Sequence, residues 1–325
     1  MKVLITGGAG YFGSVLSQRL LSKGHQVRVV DRLMHGGEAL LGLFPLSGFD
    51  FVFGDIRDKS VRKKAIDGVD AVVHLAAIVG DPACASNPKE AKEVNMDATK
   101  AMLDEARASG VNRFVFASTC SNYGKMSDPE QYLTEESDLR PVSLYAESKV
   151  GMERYMLDEL IDDSTILTVL RISTLYGLSP RMRFDLTVNE FTMELIVEKK
   201  LLVYGEQFWR PYVHVRDASR AVNLVLESNP EKVHGQVFNV GDTGENYTKG
   251  QLVSTIVQHL GGSLEIKRVK KDEDPRDYRV DFQKIRDTLG FRITRTVSDG
   301  IAEVATAVRT GVIGDVRDRR YRNVH

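Results

Sequence analysis

The sequence is short of cysteine: Cys84 and Cys120 are the only two in 325 residues. Two thiols cannot build a disulfide framework, and no Cys/His spacing suggests a zinc site. Long apolar runs are missing as well. The N-terminal one, at residues 2–6, falls far short of the ~20 residues a membrane helix needs, and nothing resembles a leader peptide. Neither sign of charge is in excess. With 44 Lys and Arg against 45 Asp and Glu the formal charge is −1, which gives no electrostatic case for nucleic acid or an anionic membrane. No internal repeat or low-complexity tract stands out. What remains has the apolar and charged fractions of a globular protein, expected in a reducing cytoplasm. It is long enough for one large or two modest domains.

What is present begins at once. Residues 2–6 read as a buried strand, followed by Gly7-Gly8-Ala9-Gly10-Tyr11-Phe12-Gly13. Behind this turn Val15, Leu16, Leu20 and Leu21 recur at helical spacing, Gly24 closes the helix, and a second apolar run at 27–30 ends at Asp31. Glycines at 7, 10 and 13 let the backbone turn tightly and approach a pyrophosphate. The helix behind them offers its unpaired N–H groups and positive dipole end to the phosphates. Asp31 stands where an acid accepts hydrogen bonds from a ribose diol and repels a 2′-phosphate. The pattern therefore predicts NAD over NADP, with Arg32 able to soften the preference.

Strand and helix then alternate. Residues 51–53, 70–75, 111–117 and 164–171 read as strands, 59–66 as a helix, and 32–50 as a partly ordered connection. Asp55, in the turn after the third strand, is a candidate cap for the helix at 59–66. His74, at the end of the fourth strand, is expected to be buried, hydrogen-bonded and untitrated, and Leu75-Ala76-Ala77 after it let the backbone pass close to a cofactor. Ligands in open parallel sheets bind beyond the carboxyl ends of strands, which places the hydroxyl cluster Ser118-Thr119-Cys120-Ser121 well. Tyr145 and Lys149, four residues apart, share a helix face. A phenol with pKa near ~10 is a poor base at neutral pH, and a neighbouring ammonium favours its phenolate. Tyr145 thus reads as the base for a substrate hydroxyl and Lys149 as the cation that activates it and holds the nicotinamide ribose. Thr119 hydrogen-bonds the same substrate oxygen.

From about residue 184 a smaller mixed region begins, with a helix at 186–197, strands at 201–205 and 237–241, and an amphipathic helix at 297–308. Asp217 reads as the cap of a helix at 218–226. Arg181 and Arg183 meet a pyrophosphate or a charged sugar, or else sit in a solvated loop. Residues 317–322 read as a solvated basic tail.

TGGAGYFG, the acid after the second strand, HLAA, STCSNYG and YAESK follow one another as in the extended short-chain dehydrogenase/reductase family. The whole chain resembles that family's NAD-dependent nucleotide-sugar epimerases and dehydratases. The resemblance implies a doubly wound parallel (Rossmann) α/β fold. An NAD-binding domain with Thr119, Tyr145 and Lys149 would span 1–180. A smaller α/β substrate region would span 181–325, with segments returning to the first, and the assembly would be a homodimer.

On the cofactor side the resemblance implies Gly7, Gly10, Tyr11, Phe12 and Gly13 at the turn, then Asp31 and Arg32. Asp55 and Ile56 would reach adenine, and Leu75, Ala76, Ala77 and Ser118 would line the path. Asn95 would fix the central helix. Toward a nucleotide-diphosphate sugar it implies Val79, Cys120, Ser121, Asn189 and Arg210, the last within R-x-Y-x-H-V-x-D. Asp81 stands where epimerases usually carry an apolar residue, and Thr174 where an asparagine is usual. Arg276 is the choice for a second phosphate-binding arginine, with Lys271 and Arg279 as competitors. No metal is implied.

The implied reaction is epimerisation through transient oxidation at carbon 4. Release of the keto sugar, or its reduction, is the alternative. SPRMRFDLTVNEFT, RPYVHVRD, PRDYRV and VGDPAC resemble a branch that oxidises nucleotide-activated heptoses at carbon 4. The 4,6-dehydratases follow their catalytic Ser or Thr with Asp-Glu, where this chain has Cys120-Ser121, which argues against elimination. Outside enzymes, a redox sensor keeps the NAD fold but usually loses the Tyr or Lys of YxxxK. Here both are present.

Overall fold

The computed structural model describes residues 1–323 apart from 127, 129, 159–164, 272–273 and 275. Ser164, expected to open the sixth strand, and Pro275 lie outside the described residues. The strands are β1 (Lys2–Thr6), β2 (Gln26–Asp31), β3 (Phe49–Phe53), β4 (Ala71–His74), β5 (Arg113–Thr119), β6 (Ile166–Ile172), β7 (Thr174–Tyr176), β8 (Lys200–Tyr204), β9 (Trp209–His214), β10 (Gln236–Val240), β11 (Asn246–Thr248) and β12 (Glu265–Val269).

Seven of them form one parallel sheet in the order β10-β6-β5-β4-β1-β2-β3. The chain winds outward from β1 to β3, then crosses back to β4 on the other side of β1. That reversal opens a crevice beyond the carboxyl ends of β1 and β4.

The alternation of side chains along each strand builds two apolar layers. Val3 and Ile5 face one way, onto Leu16 and Leu20 of the helix Tyr11–Ser22 and Ala221 and Val225 of the helix Val215–Glu227. Leu4 faces the other, with Ile66, Met102, Phe114 and Met152. A separate core of Leu201, Val203, Tyr212, Ile256 and Ile301 holds together β8, β9 and the helices Thr187–Val197, Lys249–Leu260 and Val297–Arg309. Thr248 and Thr296 close capping boxes at the starts of the last two helices.

Four local expectations are corrected. Residues 32–50 contain a 3₁₀ helix, Glu38–Leu43, whose Leu40 and Leu43 are buried against the main core. Asp58, not Asp55, caps the helix Lys59–Ile66, accepting from Ser60 N at 2.7 Å. Asp217 is no cap either. The helix starts earlier, at Val215 with His214 as its cap, and the buried Asp217 carboxylate takes the N–H groups of Thr294 (2.8 Å) and Arg295 (2.9 Å). It thereby anchors the approach to the helix Val297–Arg309.

The basic tail is solvated along Arg317, Arg319 and Arg320, as expected, but docked at its end. Tyr321 packs edge-on against Phe184, with ring centroids 5.9 Å apart, and its carbonyl accepts from Phe184 N at 2.8 Å. Arg322 pairs with Glu190 at 3.4 Å.

Candidate active site

A cleft of about 810 Å³ runs from the crevice at β1 and β4 to the face of the smaller region. At one end stands the glycine turn. Gly7 has φ +71°, and a Cβ there would lie 2.9 Å from Ala76 Cα. A Cβ on Gly13 would lie 2.4 Å from the Gly7 carbonyl oxygen, so only glycine lets the helix start this close to the strand. Gly10 sits at the N-cap and supplies no side chain to the first N–H groups, which leaves them for an anion.

Asp31 accepts from Ala9 N at 3.0 Å and from Leu33 N at 2.8 Å. Burial pushes its carboxyl up against those two bonds, and free lone pairs remain for a ribose diol. Arg32 is held by Asp55 (3.2 Å) and Glu90 (2.7 Å). Burial raises Asp55, but the bonds and charge of Arg57, with help from Arg32, outweigh it and pull the carboxyl down to about 2. Tyr11, Phe12, Ile56, Leu75, Ala76 and Ala77 complete this end of the lining. Turn, helix start and acid together fit a dinucleotide.

The chemistry-bearing groups meet in the middle. Tyr145 and Lys149 project from one face of the helix Leu144–Asp158, with the Lys149 Nζ 5.9 Å from the Tyr145 ring centroid. Lys149 donates to the Ala117 carbonyl at 2.7 Å and sits 4.5 Å over the Phe116 ring. Burial lowers Lys149 to about 8, opposed by the charges of Glu153 and Cys84. The ammonium is therefore present at neutral pH and lost above about 8. Burial pushes the Tyr145 phenol up, opposed by the charge of Arg183. Thr119 Oγ1 accepts from Ser121 N at 3.1 Å, which leaves its own proton to donate into the cleft.

Behind them lies a network that sequence reasoning missed. Glu153 continues the Tyr145–Lys149 face one turn on, and its carboxylate takes Ser118 Oγ, Asn122 Nδ2 (2.7 Å) and Arg171 Nη2 (2.8 Å). A charged residue at the third step of that i, i+4 row was the available signal. His74, buried between Thr6 Oγ1 and Thr99 Oγ1 at 3.0 Å each, is the hydrogen-bonded histidine expected.

At the far end Arg276 meets Asp81 at 2.9 Å, joining the loop after β4 to the segment after β12. Of the three cations considered there, Arg276 alone lines the cleft, while Arg279 lies over Tyr132 and Trp209. Arg210 is bonded to Asp274 (3.1 Å) and Arg183 to Asp185 (2.9 Å). Val79, Ser121, Thr174 and Arg181 also face the cleft, as does the unforeseen Tyr278, whose hydroxyl meets Ser121 Oγ at 3.4 Å.

Three expected residues do not line it. Cys120 turns into the core and donates to the Arg171 carbonyl at 3.2 Å, burial pushing its thiol up to about 12. Asn95 bonds both backbone groups of Ile78 (2.7 and 3.0 Å), and Asn189 bonds Gly177 N (2.9 Å) and the Arg183 carbonyl (3.0 Å). Each shapes the cleft from behind. Among the described residues no group of three or more His, Cys, Asp or Glu is placed to hold a metal ion, and no helix is long and apolar enough to cross a membrane.

Residues 3–241 match the family described as the NAD dependent epimerase/dehydratase family. The chain is 31% identical to a dTDP-glucose 4,6-dehydratase of Streptomyces niveus, over 93% of its own length and 91% of that protein's. To a UDP-glucose 4-epimerase of Corynebacterium glutamicum it is 28% identical, over 97% of each. A solved UDP-glucose 4-epimerase of Thermotoga maritima, with UDP-glucose, shares the fold with a TM-score of 0.85 at 26% identity, over 96% of this chain and 100% of that one. A glycine turn shaped for a pyrophosphate, a Thr–Tyr–Lys cluster at the strand ends and these matches together make the chain an NAD-dependent enzyme of the epimerase/dehydratase family, within the extended short-chain dehydrogenases/reductases.

Proposed function

We propose that the protein is a nucleotide-sugar epimerase that transiently oxidises a sugar hydroxyl, at carbon 4. The observation that carries this reading is the turn after Thr119, where Cys120 points into the core and only the Ser121 hydroxyl faces the cleft. Elimination of water needs one base and one acid, roles that two carboxyl groups fill when their environments split their pKa values. The turn supplies neither. The dehydratase relative is somewhat more identical than the epimerase, and this pair of residues weighs against its chemistry.

NAD, when bound, supplies a hydride acceptor that can also give the hydride back. Tyr145 takes the proton of the reacting hydroxyl and later returns it, while Thr119 donates a hydrogen bond to the same oxygen. Lys149 steadies the phenolate, and a positioned base of this kind contributes about 10²–10⁴-fold. Arg210 and Arg276 hold the diphosphate, for which Arg276 exchanges the Asp81 carboxylate for a phosphate. A substrate gripped by its nucleotide and diphosphate leaves the sugar ring free to turn between oxidation and reduction.

The test is incubation with UDP-glucose, dTDP-glucose and UDP-glucuronic acid in deuterated water, read by mass spectrometry and NMR. An epimer of unchanged mass without solvent deuterium is expected from at least one of them. A product lighter by one water and carrying deuterium, or lighter by carbon dioxide, overturns the reading. So does a 4-keto sugar accumulating with stoichiometric NADH.

A further inference from the structure

Arg181 was open to a substrate role, but its surroundings belong to the other ligand. The segment leading to it lies on the first turn of the helix Tyr11–Ser22. Tyr11 Oη donates to the Gly177 carbonyl at 2.6 Å, Ser179 Oγ donates to the Tyr11 carbonyl at 2.7 Å, and the Ser14 and Ser179 hydroxyls meet at 3.1 Å. Two residues on, Arg181 faces the cleft with 7% of its surface exposed, close enough to Asp31 for the two charges to attract.

Its hydrogen bonding is incomplete. The Nε has no partner among the described residues, and Nη2 donates to a neutral acceptor, the Arg322 carbonyl, at 3.2 Å. The adjacent Arg183 has its carboxylate in Asp185, whereas no ion pair is made by Arg181 among the described residues. A buried guanidinium with one carbonyl to bind is costly unless an anion completes it. A diphosphate does so, with two parallel bonds available.

We propose that Arg181 binds the pyrophosphate of the dinucleotide, opposite the glycine turn, and that the C-terminal tail holds it there. The tail contributes the Arg322 carbonyl. Its Tyr321 packs edge-on against Phe184, and Asn323 N bonds Asp185 at 2.9 Å. The cofactor is then clasped between the first helix and a segment of the second half. This holds whether the keto sugar is re-reduced or released.

The test uses the full chain stripped of bound nucleotide, titrated calorimetrically with NAD, ADP-ribose and adenosine. Arg181→Met is expected to weaken NAD and ADP-ribose about tenfold to a hundredfold, with adenosine within about twofold of wild type. Arg181→Lys should recover part of the loss. Tyr321→Ala, which frees the tail without touching the cleft, should move ADP-ribose in the same direction, and it carries the test if Arg181→Met fails to melt cooperatively. Unchanged ADP-ribose affinity in the variants overturns the proposal. So does an equal loss for adenosine, or a loss confined to UDP and dTDP on the NAD-loaded protein.

Discussion

Glutamine at position 153 changes one atom and should cost the protein much of its stability. Glu153 is 1% exposed and Arg171 4%. The carboxylate meets the guanidinium through Nε at 3.0 Å and Nη2 at 2.8 Å, and receives Ser118 and Asn122 as well. Arg171 reaches on to Tyr123 Oη at 3.0 Å and the Glu135 carbonyl at 3.1 Å, so it cannot withdraw to water. An amide at 153 leaves that cation uncompensated, which costs about 3–5 kcal/mol. With an unfolding entropy of ~2.1 cal/mol/K per residue, each kcal/mol moves the melting temperature of 325 residues by roughly 1.5 °C, so a fall of roughly 4–8 °C is expected by calorimetry for Glu153→Gln. The double variant Glu153→Leu with Arg171→Met removes both charges and should recover most of the fall, because a pair replaced by packed apolar groups is often neutral. A single variant within about 2 °C of wild type, or a double variant worse than the single, would refute the reasoning.

Asp31→Ala should narrow the preference for NAD over NADP, and equal affinities in the wild type by titration would remove Asp31 from that role. Gly13→Ala places a Cβ 2.4 Å from the Gly7 oxygen and should abolish NAD binding while a circular dichroism spectrum stays native. Tyr145→Phe should leave NAD affinity unchanged and lower turnover by about 10²–10⁴-fold; a loss below tenfold at saturating substrate assigns the base elsewhere. His74 is pulled down to about 3 by burial and then by the Lys149 charge, against ~6.5 when unfolded. The unfolded chain therefore binds the extra proton, and stability falls by roughly 1.4 kcal/mol per unit as pH drops from ~6.5 toward 3. Urea midpoints of His74→Gln should show a flatter slope over that window.

What could be read from the sequence was what is local in the chain. The glycine turn, Asp31 and the Tyr145–Lys149 row each declare themselves within one strand–helix unit. Gly8 escaped because its constraint comes from Val29, whose side chain a Cβ would strike at 2.5 Å. Cys120 misled because neighbours of Thr119 were expected to share its outlook, whereas the 3₁₀ turn Cys120–Tyr123 buries Cys120, Asn122 and Tyr123 and leaves Ser121 at the cleft. Asp81 with Arg276, Asp217 with Thr294, and Tyr321 with Phe184 join residues that no spacing rule connects. Such pairs are fixed only once the two halves are packed.

The place of β10 bears on how the chain is made. β6 is completed on its outer side by β10, which the ribosome delivers more than sixty residues later. At ~5–20 residues per second this leaves β6 waiting roughly 3–13 s for its partner. Through that interval the apolar sequence ILTVLRI presents an open row of N–H and C=O groups, a template on which other nascent chains can aggregate. Released after Pro180, a fragment would keep that edge permanently and should precipitate, whereas one extended past Val240 carries the strand that closes it.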